Sequence, residues 1–310
     1  MDLPTTVEYY SPAEKFSAAG FTLAVIGGGV ASAALGFLYG SVQVLMPILY
    51  VAFLVTVLFA TLLGHLVLFF VKLGRVRHLG VATAAVVVGG LAALYGAWVA
   101  DRYLRLKLAR VEGVELSILP ADVFRYIGYF LENGMWAFRG QPVTGLPLIL
   151  IWLAEATILF SLAVKAVRTR FRSSAYCEGC RRWTRSSRGV RYLIPNASHG
   201  LTQELQKGNL QPLHQTVPSS HGAPLSLRLD LDQCGGCASS VYLSLTVVAG
   251  GTRFREFVWP EEKVLVRHLR IAPADAEALR APQKLANVVP PGRTRQKSRG
   301  AQESGPPERP

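Results

Sequence analysis

Charged residues are scarce in this chain: Asp, Glu, Lys and Arg together make up 17% of its 310 residues, whereas apolar residues make up 50%. Soluble globular domains carry about 25% charged residues. This shortage excludes an ordinary soluble protein. The long apolar runs are therefore the elements that define the fold.

Two functional signatures are also missing. The sequence has no Ser/His/Asp arrangement and no pair of carboxylates spaced for acid–base chemistry, so we predict a non-enzymatic chain. The N-terminal tail, residues 1–16, has one Lys against three acidic residues and lacks the basic region of a signal peptide. We expect the first apolar segment to be retained as an anchor.

Four segments reach the roughly 20 apolar residues that a helix needs to cross a bilayer. They are residues 17–40, 47–71, 79–100 and 145–167. The pattern predicts an α-helical integral membrane protein with four spans. Small residues recur at about four-residue spacing in the first span, which suits close packing inside this chain or a seam between two copies of it.

The distribution of Lys and Arg predicts the orientation of the spans. The loop after the second span has three basic residues and no acid, and residues 165–191 have nine basic residues against one acid. Both regions are expected in the cytoplasm, with both termini, and residues 101–144 outside. The stretch "DRYLRLKLAR", residues 101–110, opposes this orientation with four basic residues.

The outer connection contains an amphipathic pattern. Apolar residues recur at helical spacing over residues 120–134, and Asn133-Gly134 is a helix stop signal. Aromatic residues are frequent there, and Tyr and Trp prefer the membrane interface. We predict an interfacial helix in this loop.

Cysteine is rare, and all of it falls in two C-x-x-C pairs. The residues are Cys177, Cys180, Cys234 and Cys237. In such a turn both sulfurs can point the same way, so two turns supply the four thiolates of a closed structural zinc site. A disulfide framework does not suit a reducing cytoplasm. A thioredoxin-type pair would open a helix, whereas Cys237 runs into a predicted strand.

The segment around the cysteines, residues 172–285, is predicted to form a small, mostly-β, zinc-ribbon-like cytoplasmic domain. Alternation in "APLSLRLDL" and "SSVYLSLTVV" indicates strands, and "LTQELQKGNLQPL" and "PADAEALRA" indicate short helices. The gap from Cys180 to Cys234 exceeds the roughly 15 to 20 residues of a compact ribbon, so an insertion fills it.

The stretches "YCEGCRRW" and "NGMWAFRGQPVTGLPLILIWLAEA" resemble an uncharacterised family of bacterial multi-pass inner-membrane proteins with a C-terminal cysteine-pair domain. The resemblance runs from the first span to the second cysteine pair. It implies this architecture and a location in the cell inner (plasma) membrane. It implies no catalytic residue.

One ionisable residue lies near the middle of the fourth span. Glu155 is costly at that depth unless it is protonated or partnered. His65 in the second span is the partner that we expect for it. A structural role, in which Glu155 bonds to a neighbouring helix, is the other interpretation.

The basic charge is concentrated after the last span. Residues 1–164 carry 10 Lys/Arg against 9 Asp/Glu, and residues 165–310 carry 23 against 11. We expect the cations nearest the bilayer to contact anionic headgroups, with Phe171 dipping into the interface; these cations are Lys165, Arg168, Arg170 and Arg172. The tail, residues 286–310, is predicted to be disordered, and nucleic-acid binding is not expected.

Together these features predict a non-enzymatic membrane protein whose zinc module binds another protein, as an anchor or assembly factor. The alternative hypothesis is a small transporter or proton-relay unit that uses Glu155 and His65.

Overall fold

The computed structural model describes most of the chain. The described residues are 8–11, 14–46, 49–135, 137–138, 140–193, 198–215, 225–237, 239–249 and 262–281. The predicted disordered tail, residues 286–310, lies outside them, as do residues 1–7 of the N-terminal tail.

Four long helices form a bundle. They are α1 (Ala18–Leu45, with a π-helical turn at Leu23–Gly27), α2 (Leu49–Leu73), α3 (Leu79–Leu108) and α5 (Gly145–Arg172). All four are long enough and apolar enough to cross a membrane, which confirms the prediction of four such helices. All four extend past the expected C-terminal ends at residues 40, 71, 100 and 167, because the helical backbone continues beyond the apolar run that defines each predicted span.

Helices α1 and α3 touch through their backbones. A Cβ added to Gly36 would lie 1.9 Å from the carbonyl oxygen of Ala93, and one added to Gly96 would lie 2.2 Å from that of Ala33. Only residues without a side chain fit at these two contacts. Part of the small-residue pattern in the first apolar segment is therefore explained by packing within one chain.

The bundle has an apolar exterior as well as an apolar core. Its core contains Leu63, Val67, Val86 and Leu159. Large apolar side chains on the outer faces are more than half exposed, among them Leu38, Leu54, Leu58, Phe69 and Leu91. Such a continuous apolar exterior is unfavourable in water and is typical of a surface that lipid or another apolar partner covers.

A short amphipathic helix, α4 (Pro120–Asn133), lies at one end of the bundle. It buries Val123 and Phe130 and is joined to α3 by the Tyr126 hydroxyl, which donates to Asp101 Oδ2 at 2.8 Å. Burial raises the pKa of Tyr126, so its hydroxyl keeps the proton that it donates. Arg105 bonds to the same carboxylate at 3.0 Å, so one of the four basic residues that oppose the predicted orientation is neutralised locally. A two-stranded hairpin follows, β1 (Ala137–Phe138) and β2 (Gln141–Pro142).

The C-terminal region is mostly β, as predicted. A small hairpin, β3 (Tyr176–Cys177) and β4 (Arg182–Trp183), leads into an antiparallel sheet of four sequential strands. These are β5 (Arg185–Leu193), β6 (Leu225–Gln233), β7 (Val241–Ala249) and β8 (Glu262–Ile271). Leucines from β6 and β7 pack under α6 (Ser198–Gln206), α7 (Gln211–Gln215) and α8 (Pro273–Arg280).

The N-terminal segment joins this sheet along the free edge of β8. Tyr9 forms a bridge with Leu269, the N–H of Tyr10 donates to the carbonyl of His268 at 3.0 Å, and Arg270 N–H donates to Glu8 O at 2.9 Å. Residues 8–10 and the C-terminal sheet therefore lie at the same end of the bundle. Edge pairing of this kind also covers the exposed polar backbone groups of the last strand.

Candidate metal centre

The first cysteine pair lies in the hairpin of β3 and β4. Cys177 ends β3, where it pairs with Arg182, and Cys180 lies in the turn. Arg181 has φ of 51°, so the chain reverses within a few residues and both sulfurs face the same side. The hairpin register therefore fixes the position of this pair.

The second pair lies in the connection from β6 to β7. Cys234 directly follows the last residue of β6, and its N–H donates to the carbonyl of Ser240 at 3.0 Å. Gly236 N–H donates to Cys234 Sγ at 3.4 Å. Neither pair begins a helix, which agrees with the argument against a thioredoxin-type redox site.

The four sulfurs meet in one cluster. The Sγ atoms of Cys177, Cys180, Cys234 and Cys237 all lie within 4.8 Å of one another. All four cysteines are free thiols. The Sγ atoms of Cys177 and Cys237 are 3.7 Å apart, and a tetrahedral ion with metal–sulfur bonds of about 2.3 Å separates its ligands by about 3.8 Å. The arrangement therefore fits a four-thiolate metal site.

One glycine keeps the cluster open to an ion. A Cβ added to Gly236 would lie 3.1 Å from Cys180 Sγ and 3.7 Å from Cys234 Sγ. A methyl group there would crowd the space between sulfurs of the two pairs. Burial is graded across the site, because Cys177 and Cys234 are 1% exposed while Cys237 is exposed.

Hydrogen bonds to sulfur separate the pKa values of two thiols. The Ser239 hydroxyl, backbone N–H groups and the Cys180 thiol all donate to Cys237 and hold its pKa at about 5. The same bond to Cys237 is the largest cause that raises the pKa of Cys180 to about 12. The lowered pKa of Cys237 favours its thiolate, whereas Cys180 keeps its proton, which a bound cation would displace.

The cysteine hairpin is seated on the bundle through Trp183. The indole Nε1–H donates to the carbonyl of Lys72 at 3.2 Å, and the Lys72 ammonium lies 5.5 Å from the ring centroid. Phe171 packs edge-on against the same ring at 5.5 Å and is only 4% exposed. The expectation that Phe171 dips into the membrane interface is therefore wrong, because Trp183 covers it.

Arg77, in the loop between α2 and α3, forms a second connection. Its guanidinium stacks over Tyr176 at 4.7 Å and pairs with Glu178, while its backbone N–H donates to the carbonyl of Lys15 at 3.0 Å. The cysteine hairpin, the α2–α3 loop and the N-terminal segment thus form one junction.

Glu155 and His65 are not brought together. The Tyr39 hydroxyl donates to Glu155 Oε1 and also contacts Thr56 Oγ1 at 2.7 Å. His65 Nδ1 bonds instead to the carbonyl of Thr61 at 2.8 Å. Its neighbour Gly64 packs on Ala163, eight residues beyond Glu155 on α5, or about 12 Å along the helix.

Tyr39 is the polar partner that the sequence interpretation missed. It is buried in α1, and Gln43, one turn later, donates to its hydroxyl at 2.6 Å. The sequence did indicate a polar site in this helix, because Tyr39 and Gln43 are four residues apart and therefore lie on one face of the first apolar helix.

The four basic residues expected at the membrane surface all lie in the last two turns of α5, and all are exposed; they are Lys165, Arg168, Arg170 and Arg172. Lys165, Arg168 and Arg172 share one face of the helix, at spacings of three and four residues, and Arg170 lies on another face. Only Arg170 lines the cleft described below.

Comparison of the chain with protein-family models, with curated proteins and with solved structures found no match. The resemblance to a bacterial membrane-protein family accordingly stays a prediction.

Proposed function

We propose that this chain is a non-enzymatic, multi-pass protein of the bacterial inner membrane. Its zinc-ribbon-like domain displays a structural zinc site on the cytoplasmic face and binds a protein partner, as an anchor or assembly factor. The observation that carries the proposal is the four-cysteine cluster within 4.8 Å, built on a hairpin that is bonded to the end of an apolar helix bundle.

The donor set favours zinc in a structural role. Four thiolates complete a tetrahedral shell and leave no position for a substrate, which is typical of structural rather than catalytic zinc. Cys177 and Cys234 are buried, so the ion would join the β3–β4 hairpin to the β6–β7 turn. The sheet beyond the cysteines would then be free to present a binding surface.

The apolar exterior of the bundle supports membrane insertion. The proposed orientation, with both termini in the cytoplasm, is supported by the position of three regions at one end of the bundle. Residues 8–10, the loop at Arg77 and the C-terminal sheet all lie at that end. An even number of spans places both termini on one side, and the excess of Lys and Arg beside α2 and α5 favours the cytoplasm.

This orientation predicts the accessibility of two exposed turns. An epitope inserted at Gly113, around which a side chain would meet open space, should bind antibody when only the outer face of the membrane is accessible. An epitope inserted at the exposed turn residue Gly208 should bind only after the inner membrane is opened. The reverse result would contradict the orientation and leave the metal site unaffected.

The partner is tested by comparison of variants of the full chain. Proteins crosslinked to the wild-type chain in membranes should be lost from the Cys177→Ser variant, whose zinc site is broken, and retained by Glu155→Gln. A partner set that is identical for all three chains would contradict a role for the zinc module in binding.

The polar cluster around Glu155 favours one alternative, a proton relay or small transporter. For a scaffold, Glu155→Gln should change stability by less than about 1 kcal/mol, because the amide oxygen still accepts from Tyr39 and bonds of this kind average about 0.6 kcal/mol. For a relay, the change should abolish proton flux into liposomes. We expect no flux in either wild type or variant; wild-type flux that the variant loses would favour the relay.

A further inference from the structure

A cleft of about 580 Å³ lies where the bundle meets the C-terminal sheet. Its size is within the range of about 300 to 1,000 Å³ that small-molecule sites occupy. Residues of α2, of the end of α5 and of β5 line the cleft. His65, Leu68 and Lys72 lie on one face of α2. Arg170 lies in the last turn of α5 and Ser174 lies two residues beyond its end, and Ser186 and Arg188 are two residues apart on β5.

The walls of the cleft carry an excess of positive charge. Lys72, Arg170 and Arg188 supply three cations, and hydroxyl groups lie between them. Lys72 Nζ donates to Ser174 Oγ at 2.8 Å, which holds the ammonium at the cleft wall. Guanidinium and ammonium groups together with hydroxyls are the donors that bind phosphate.

One acid opposes these cations. Asp232 pairs with Ser186 across β5 and β6, is 2% exposed, and lies 3.4 Å from His268 Nε2 through Oδ2. Among the described residues, none donates a hydrogen bond to its Oδ1. An acidic side chain at this position disfavours a doubly charged phosphate more than a singly charged phosphodiester.

The cleft also extends along the apolar part of α2. Lys72 and His65 are seven residues apart, which is about 10 Å along the helix. Leu68 lines the cleft between them, and Phe69 and Leu73 on the same helix are exposed beside it. A ligand that fills the cleft would have its polar part at Lys72 and its apolar part at the level of the bundle exterior.

We propose that this cleft binds the phosphodiester headgroup of a membrane phospholipid. Arg170, Arg188 and Lys72 hold the phosphate, and the acyl chains follow the outer face of α2. The inference rests on the membrane insertion proposed above. A lipid held at this position would connect the bundle and the metal-bearing region at their junction.

The test uses the full chain in detergent, with bound lipid counted by native mass spectrometry. The probes are dioctanoylphosphatidylglycerol, its headgroup glycerophosphoglycerol, and inorganic phosphate. We expect one short-chain lipid per chain at saturation, weaker competition by the headgroup alone, and none by inorganic phosphate at equal concentration. Arg170→Gln and Arg188→Gln should each weaken lipid binding about tenfold.

Arg168→Gln is the matched control, because Arg168 is equally basic and lies on the same turn of α5 outside the cleft. The Arg168→Gln change should alter the affinity for the short-chain lipid by less than about twofold. Equal weakening by Arg168→Gln and Arg170→Gln would overturn the site, and displacement of lipid by an equal concentration of inorganic phosphate would overturn its assignment to lipid.

Metal content is measured on the same detergent samples, and resistance to alkaline extraction is measured on the membranes from which they are purified. Unchanged zinc in each variant shows that it has folded. A chain that keeps zinc and resists extraction but binds no lipid saturably overturns this inference alone, whereas release by alkali overturns the membrane anchor.

Discussion

Replacement of Cys177 by Ser is expected to remove zinc from the chain and to unfold the C-terminal region while the helix bundle persists. Structural zinc contributes about 10 to 16 kcal/mol in small zinc-dependent domains, as much as the whole stability of a typical domain. The buried Cys177 sulfur also joins the two halves of the cluster. Limited proteolysis should cut within residues 176–281 of the variant, and elemental analysis should show less than about one tenth of the wild-type zinc.

Ser240→Ala provides the control for that change. The Ser240 hydroxyl lies 3.3 Å from Cys177 Sγ, so the variant alters the surroundings of the same sulfur without removing a thiol. We expect wild-type zinc content and protease resistance. Equal loss of zinc in both variants would show that the region is sensitive to any local change and would remove the support for a specific cysteine site.

Gly36→Ala is expected to destabilise the bundle by about 3 kcal/mol or more, at the upper end of the usual cost of overpacking. The new methyl group would lie 1.9 Å from the carbonyl oxygen of Ala93, which belongs to the backbone of α3 and cannot rotate away. Helices α1 and α3 would have to separate along this seam. Thermal unfolding of the detergent-solubilised chain should show a fall of several degrees in the melting temperature.

Gly29→Ala is the matched control in the same helix. A Cβ at Gly29 meets nothing within 4 Å, so the same chemical change adds helix propensity without a clash. Its melting temperature should equal or exceed that of the wild type. A similar fall in both variants would place the effect in helix α1 itself rather than in its contact with α3.

The four long helices could be predicted because continuous apolar runs of sufficient length are a local property of the sequence. Their ends could not. Helix α3 continues to Leu108 because Arg105 pairs with Asp101 four residues earlier, which stabilises helical turns beyond the apolar run.

The cysteine cluster could be predicted from its spacing, but its attachment to the bundle could not. The bond from Trp183 to Lys72 joins residues 111 positions apart, and no local pattern reports such a contact. The pairing of Glu155 with Tyr39 rather than His65 could not be predicted from a local pattern either. It depends on the rotation of each helix about its own axis, which packing fixes and hydropathy does not.

Strand β5 was missed for a different reason. Its sequence, "RSSRGVRYL", is polar and has no clear alternation. It becomes a strand because β6 supplies the hydrogen bonds, and it needs an irregularity between Ser187 and Arg191 to do so. Gly189, with φ of 64°, adopts the required turn, and its N–H donates to Asp230 Oδ1 at 2.7 Å.

X-ray absorption at the zinc edge, on the full chain extracted from membranes by detergent, tests the central claim most directly. The claim is that Cys177, Cys180, Cys234 and Cys237 form a closed structural site on a membrane-anchored protein. The expected result is one zinc per chain, surrounded by four sulfur atoms at about 2.3 Å. A folded, membrane-extracted chain without metal, or a shell in which nitrogen or oxygen replaces sulfur, would contradict the account.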